Sequence, residues 1–217
     1  MIRNIFFDFD GTLADTTEGI VQCSLATLRQ LGLPASTPER IRSVIGLPLT
    51  ECFAQGTDTP PERIAEACAT YRKLFNEIAI PCTTLYPGTN ETLAALQARG
   101  LTLALCTSRS NNSLNALLQV LGIRSHFSTI VTNEDVTHPK PAPDIARLAL
   151  ARLGVRPEET LVVGDTVFDL QMGRAAGCRI CGVTWGNQDR PQLESEYPEL
   201  IIDDFRELLA YCIERAD

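Results

Sequence analysis

Ile5-Phe6-Phe7-Asp8-Phe9-Asp10-Gly11-Thr12-Leu13 decides how this 217-residue chain is read. An apolar run stops abruptly in two carboxylates two residues apart. Side chains on a strand alternate with period two, so Asp8 and Asp10 are expected on the same side at the strand's carboxyl end. Gly11 then permits a tight turn away from the sheet. Two acids held together repel each other, and such a pair points to a metal ion or to a shared proton. Solvated acids before a glycine turn are the plainer alternative, and the rest of the chain bears on the choice.

Three further segments end in the same way. In Leu103-Ala104-Leu105-Cys106-Thr107-Ser108-Arg109 an apolar run gives way to small hydroxyl residues. Hydroxyls and backbone N–H groups at a strand-to-helix junction suit phosphate oxygens, because the helix N-terminus adds partial positive charge. An ordinary helix cap would use the same residues. His138-Pro139-Lys140-Pro141-Ala142-Pro143-Asp144 holds one of two lysines in a chain with seventeen arginines. Its prolines stiffen the loop and restrain the residues before them, which aims one ammonium group. Leu161-Val162-Val163-Gly164-Asp165-Thr166-Val167-Phe168-Asp169 places two more carboxylates four residues apart beyond a strand. An acidic first helical turn is the alternative there.

Composition narrows the functional classes. Apolar content of 44% and charged content of 21% are ordinary for a globular protein. No apolar run approaches the ~20 residues of a membrane span. Met1-Ile2-Arg3-Asn4-Ile5 enters the first strand directly and leaves no room for a signal peptide, so a cytoplasmic location is expected. A net charge of −8 argues against nucleic acid or an anionic membrane as partner. The eight cysteines do not read as a disulfide framework. Cys178 and Cys181 have the spacing of a redox or zinc pair. They lie in a strand-like segment, however, where the thiols face opposite sides, and buried structural cysteines are expected.

Strand-like segments near 4–9, 101–106, 129–132, 160–164, 179–184 and 200–202 alternate with helical patterns near 89–99, 110–121, 142–153, 167–176 and 204–215. The expected fold is α/β: a Rossmann-like, mostly parallel sheet with helices on both faces. Residues 15–84 break the rhythm with helices alone, centred on 17–31, 40–44, 49–53 and 61–78. The expected organisation is a core of 1–14 and 85–217 with a helical insertion at 15–84, and hinges near 14–16 and 83–88. Ligands of such sheets bind beyond the carboxyl ends of the strands, where all four segments fall.

In this order the segments, DFDGTL, TS, K-P and GDTxxD, resemble the four motifs of the haloacid-dehalogenase-like superfamily. The resemblance runs from Asp8 to about Trp185 and takes in Gly173, Ala175, Ala176 and Gly177. Within the superfamily the chain resembles the phosphoglycolate-phosphatase-like and β-phosphoglucomutase-like group, in which a helical cap follows the first motif. The resemblance implies phosphoryl transfer from a small phosphorylated metabolite through an aspartyl-phosphate. Asp8 would be the nucleophile. Asp8, Asp165 and the backbone carbonyl of Asp10 would bind Mg²⁺, and the Asp10 side chain would serve as acid and base. Thr107 and Ser108 would hold phosphate oxygens, and Lys140 would offset the charge shared by Asp8 and the phosphate. Asp169 would orient Lys140 or metal-bound water. Arg42, Arg109, Asn111 and Asn112 are candidates for contacting the rest of the substrate. Trp185 would line the rim or pack in the core. A monomer or a homodimer is expected.

Other activities use the same core. A sugar-phosphate mutase of this group carries a histidine shortly after the first motif, and Thr16-Thr17-Glu18-Gly19-Ile20 has none. Inorganic pyrophosphatase activity fits the same residues. Dehalogenation needs no second acid, whereas Asp10 is present. Phosphonate hydrolysis needs a cap lysine, and Lys73 lies in an amphipathic helix where a solvated position is expected. A non-catalytic binding protein would have lost Asp8, Asp10, Lys140 or Asp165, and all four remain.

Overall fold

The computed structural model describes residues 1–214. Residue 215, the expected end of the last helix, lies outside the described residues. Among the described residues, strands β1 (Asn4–Phe7), β2 (Ala14–Asp15), β3 (Thr84–Leu85), β4 (Thr102–Cys106), β5 (Thr129–Val131), β6 (Thr160–Gly164), β7 (Arg179–Val183) and β8 (Leu200–Ile202) are joined with ten α-helices and five short 3₁₀ turns. Six strands form one sheet in the order β5-β4-β1-β6-β7-β8, and every pairing in it is parallel.

Parallel strands covered on both faces need apolar residues at every position, and β1 is buried throughout. Its alternate side chains enter two cores. Ile5, Phe7, Leu103, Leu105, Leu161 and Val163 pack on one face beneath α5 (Thr89–Ala98), α6 (Asn111–Leu121) and α10 (Phe205–Glu214). Phe6, Ala104, Val162 and Ile180 pack on the other beneath α7 (Asp144–Leu153) and α8 (Val167–Ala175). Cys181 falls in the first core and Cys178 in the second, so the two thiols do face opposite sides.

Register aligns the strand ends that matter. Phe7 lies opposite Leu105 on one side and Val163 on the other. Asp8, Thr107 and Asp165 therefore emerge at one edge, where the chain leaves β1 for β4 on one side and later crosses to β6 on the other. A doubly wound sheet opens its binding crevice at such a reversal.

Between β2 and β3 lie α1 (Thr17–Gln30), α2 (Pro38–Arg42), α3 (Leu49–Gly56) and α4 (Ile64–Ile78). Their apolar faces, including Cys23, Phe53, Tyr71 and Phe75, continue the first core. The two connecting segments, expected as hinges, run side by side. Ala14–Asp15 pairs antiparallel with Thr84–Leu85, so the connections form a small two-stranded ribbon. Two-residue strands leave no periodicity to read. Helix α9 (Arg190–Glu194) also went unanticipated; five residues carry little pattern, and its signal is the reciprocal cap of Asp189 and Gln192.

Candidate active site

Strand β1 ends at Phe7, two residues short of the expected boundary, although Asp8 N–H still reaches the Val163 carbonyl at 2.9 Å. The Phe9 carbonyl then accepts from Leu13 and Ala14, which folds the chain back at once. Gly11 makes the reversal with φ of +79°, and a Cβ there would sit 2.1 Å from Asp165 Oδ2. The turn is thus closed against a carboxylate from another strand.

Asp8 and Asp10 line the same crevice, but each has its own cation. Lys140 Nζ stands 2.5 Å from Asp8 Oδ1 and 2.5 Å from Asp169 Oδ1. Its side chain is 1% exposed, so the proline-flanked loop does deliver a buried ammonium group. The second oxygen of Asp169 caps α8, accepting from Thr166 N–H at 3.1 Å and Thr166 Oγ1 at 2.6 Å. Asp169 packs so tightly under β6 that a Cβ on Gly164 would lie 2.2 Å from the Asp169 Cβ.

Asp165 is fully buried. Its Oδ1 accepts from Thr12 Oγ1 at 3.0 Å, and its Oδ2 accepts from Asn187 N–H and Nδ2, each at 2.8 Å. Carboxylate oxygens of Asp8, Asp165 and Asp169 all lie within 4.8 Å of one another. Burial pushes the Asp8 carboxyl well above its ordinary range; Lys140 opposes this, while Asp169 and Asp165 add to it. Burial and the neighbouring Asp169 push Asp165 up to about 7, against its three hydrogen bonds. Burial alone would depress Lys140, but Asp169 and Asp8 more than reverse that.

Three buried carboxylates against one ammonium leave uncompensated negative charge in a region where it is costly. The donors are all hard oxygens, which suit Mg²⁺ better than softer metals. The residues therefore fit a divalent cation.

The Asp10 carboxylate stands outside this cluster. Arg109 Nε donates to both of its oxygens, at 2.9 and 2.7 Å, and Arg109 Nη2 donates to Oδ1 at 2.5 Å. Thr16 Oγ1 adds a bond of 2.6 Å. The guanidinium lies 5.1 Å from the Phe75 ring centroid on α4 and 5.7 Å from that of Phe9, within cation–π range. One side chain thus ties the sheet, the first acidic loop and the helical insertion together.

Above Asp8 and Asp10 opens a cavity of ≈ 250 Å³. Ser108, Arg109 and Asn112 line it from the sheet side. Thr107 and Lys140 are buried behind it, and Thr107 Oγ1 accepts from Arg109 N–H at 3.2 Å. Arg42 does not line the cavity; its side chain is 42% exposed and faces Glu18 and Glu39. Asn111 does not line it either, and its N–H is given to Glu134 at 2.9 Å. Trp185 packs on Phe205 and Tyr86 and donates Nε1–H to the Thr12 carbonyl at 3.0 Å.

Sequence reasoning missed Thr12, Thr16 and Asn187. Thr12 sits inside the first quoted stretch. Asn187 lies four residues beyond β7, in the loop that follows that strand, which is the available signal.

Comparison with known proteins identifies the family. Residues 5–183 match the haloacid dehalogenase-like hydrolase family. The chain belongs to that family, and it is an enzyme of the family's phosphatase group. A chain from Dickeya dadantii named Probable phosphatase IndB is 40% identical over 209 residues, covering 94% of this chain and 91% of that one. Pyrophosphatase PpaX of Bacillus velezensis is 36% identical, covering 96% and 95%. Phosphoglycolate phosphatase of Salmonella typhimurium is 33% identical, covering 96% and 91%. A solved haloacid dehalogenase-like hydrolase from Streptococcus pneumoniae superposes with a TM-score of 0.86 at 30% identity, covering 97% of this chain and 98% of that one.

Proposed function

We propose that the protein is a Mg²⁺-dependent phosphatase that hydrolyses a small phosphorylated metabolite through an aspartyl-phosphate on Asp8. The observation that carries this reading is Asp8 itself. It lines the cavity, its Oδ1 is held by Lys140, and two further buried carboxylates stand beside it. Asp8 Oδ2 attacks phosphorus and the ester oxygen leaves, taking a proton from Asp10. Water then attacks the same phosphorus and passes a proton back to Asp10, which frees phosphate and Asp8. Such assistance is worth ~10²–10⁴-fold.

Asp8, Asp165 and the Asp10 carbonyl would hold the metal, with Asp169 behind them; bound there, Mg²⁺ neutralises charge on the transferring phosphoryl group. Lys140 fixes the Asp8 carboxylate and offsets its charge. Thr107 and Ser108 hold phosphate oxygens, a role favoured by the buried, unpartnered Oγ of Ser108. Residues 15–84 serve as a cap over the core of 1–14 and 85–217, and exclude water when closed. The fork between Asp10 and Arg109 opens for Asp10 to exchange protons. Arg109 and Asn112, as lining residues, are better candidates for contacting the leaving group than Arg42 and Asn111.

The test is phosphate release from phosphate monoesters with and without Mg²⁺, with Asp8→Asn as the comparator. Turnover that needs Mg²⁺ and vanishes in Asp8→Asn is expected. Full activity of Asp8→Asn would remove the nucleophile assignment, and turnover in EDTA would remove the metal.

A further inference from the structure

We infer that the leaving group is an uncharged alcohol with a sizeable apolar body, and that neither pyrophosphate nor a short phosphorylated acid is the preferred substrate. The inference rests on the phosphatase reading above and names the substrate class of that site.

The cavity is built asymmetrically. Its sheet side carries the reacting groups and hydroxyls. Its helical side carries Ile20, Ile45, Leu47, Leu49, Tyr71 and Phe75, together with the exposed polar residues Thr50, Arg72 and Asn76. Ile20, Leu47 and Leu49 are only half-buried, so apolar surface is left facing the crevice. Such a wall rewards an apolar partner and penalises a charged one that loses its water there. The volume of ≈ 250 Å³ exceeds what a phosphoryl group needs alone, since about 10–15 Å³ of such space holds a water.

Charge points the same way. Pyrophosphate and phosphoglycolate both carry a second anionic group that would need a cation of its own. Among the described lining residues the cations are Arg109, whose three contacts with Asp10 a second anion would have to break, and Arg72, whose exposure to water and salt weakens its pull on an anion. Glu134 adds a further negative charge to the lining. Beside it, Asn133 Oδ1 is buried with no partner. A buried acceptor is satisfied by a hydroxyl or N–H donor and left worse off by a carboxylate.

The experiment compares kcat/KM for ethyl phosphate, 2-phenylethyl phosphate, phosphoglycolate and pyrophosphate, each with saturating Mg²⁺. A gain of at least about tenfold for 2-phenylethyl over ethyl phosphate is expected, the discrimination that apolar pockets typically give. Leu47→Ser and, separately, Ile20→Ser should narrow that ratio. Equal rates for the two alkyl esters, or a lead for phosphoglycolate or pyrophosphate, would overturn the inference and leave the phosphatase reading intact. Silence on all four would overturn the reading itself and the inference with it. A ratio that survives both substitutions would reject the apolar wall as its source.

Discussion

Arg109 holds Asp10 in a buried fork, with three N–H···O contacts between 2.5 and 2.9 Å and the guanidinium packed against Phe75. The charge of each group is tolerable only because of the other. Truncating one partner strands the remaining charge, which typically costs about 3–5 kcal/mol. Asp10 keeps Thr16 and faces a cavity, so Arg109→Ala should fall at the lower end, about 3 kcal/mol in urea unfolding. Asp10→Asn combined with Arg109→Ala should cost clearly less than the two singly. Additive losses would show that the pair does not act as a unit.

The carboxylate cluster gives a pH signature in metal-free protein. Burial and Asp169 raise Asp165 from 3.8 unfolded to about 7 folded. The folded state therefore holds a proton that the unfolded state releases earlier. That contribution is fully present below about pH 4 and is lost as the pH rises through about 7. In EDTA, the wild type should accordingly lose stability relative to Asp165→Asn between pH 4 and 8. Urea unfolding of both at each pH measures the difference. A constant gap would mean that Asp165 is ionised throughout.

Gly11→Ala tests the closure of the first turn on Asp165. The substitution places a methyl group 2.1 Å from Asp165 Oδ2 at a positive φ. The left-handed conformation alone costs a non-glycine residue about 1–3 kcal/mol, and the overlap adds to it. The variant should melt lower and lose any Mg²⁺-dependent rise in Tm that the wild type shows. A normal Mg²⁺ response would mean that the turn does not shape the cluster.

The thiols should be inert in the native state. Burial pushes Cys23, Cys106 and Cys178 up to about 12, so almost no thiolate is present near neutrality. Cys52 and Cys82 are half-buried and the other six are buried. Ellman's reagent should reach at most two thiols quickly in native protein and all eight in urea. Rapid native reaction of more than two would contradict the packing of both cores.

The elements that sequence revealed are those whose physics is local and repeated. Each sheet strand is a short apolar run, and Gly100, Gly122 and Gly154 close helices with positive φ. Asp8, Asp165 and Asp169 were legible because acids following apolar runs are unusual, and Lys140 because it is one of two lysines and is flanked by prolines. Period two puts Asp10 on the side of Asp8, and both line the crevice, but the strand stops before Asp10 and its pairing with Arg109 was not legible. Pairings across 99 residues, such as that fork, leave no spacing to read. The same holds for Asn187, which meets Asp165 only once β6 and β7 lie side by side.

Trp185, the sole tryptophan, offers a direct readout of the metal site. Its Nε1–H is bonded to the Thr12 carbonyl, and the Thr12 hydroxyl is bonded to Asp165. Two residues further on, Asn187 grips the other oxygen of Asp165. A cation drawn to Asp165 must shift these bonds, and the indole stands one residue from Gly186, where a Cβ would lie 2.4 Å from Asp165 Oδ2. Mg²⁺ should therefore change the emission of Trp185 saturably, and Asp165→Asn should abolish the change while leaving the folded spectrum. Arg42→Ala, remote from this loop, should titrate as the wild type does. An unchanged response in Asp165→Asn would place the cation elsewhere.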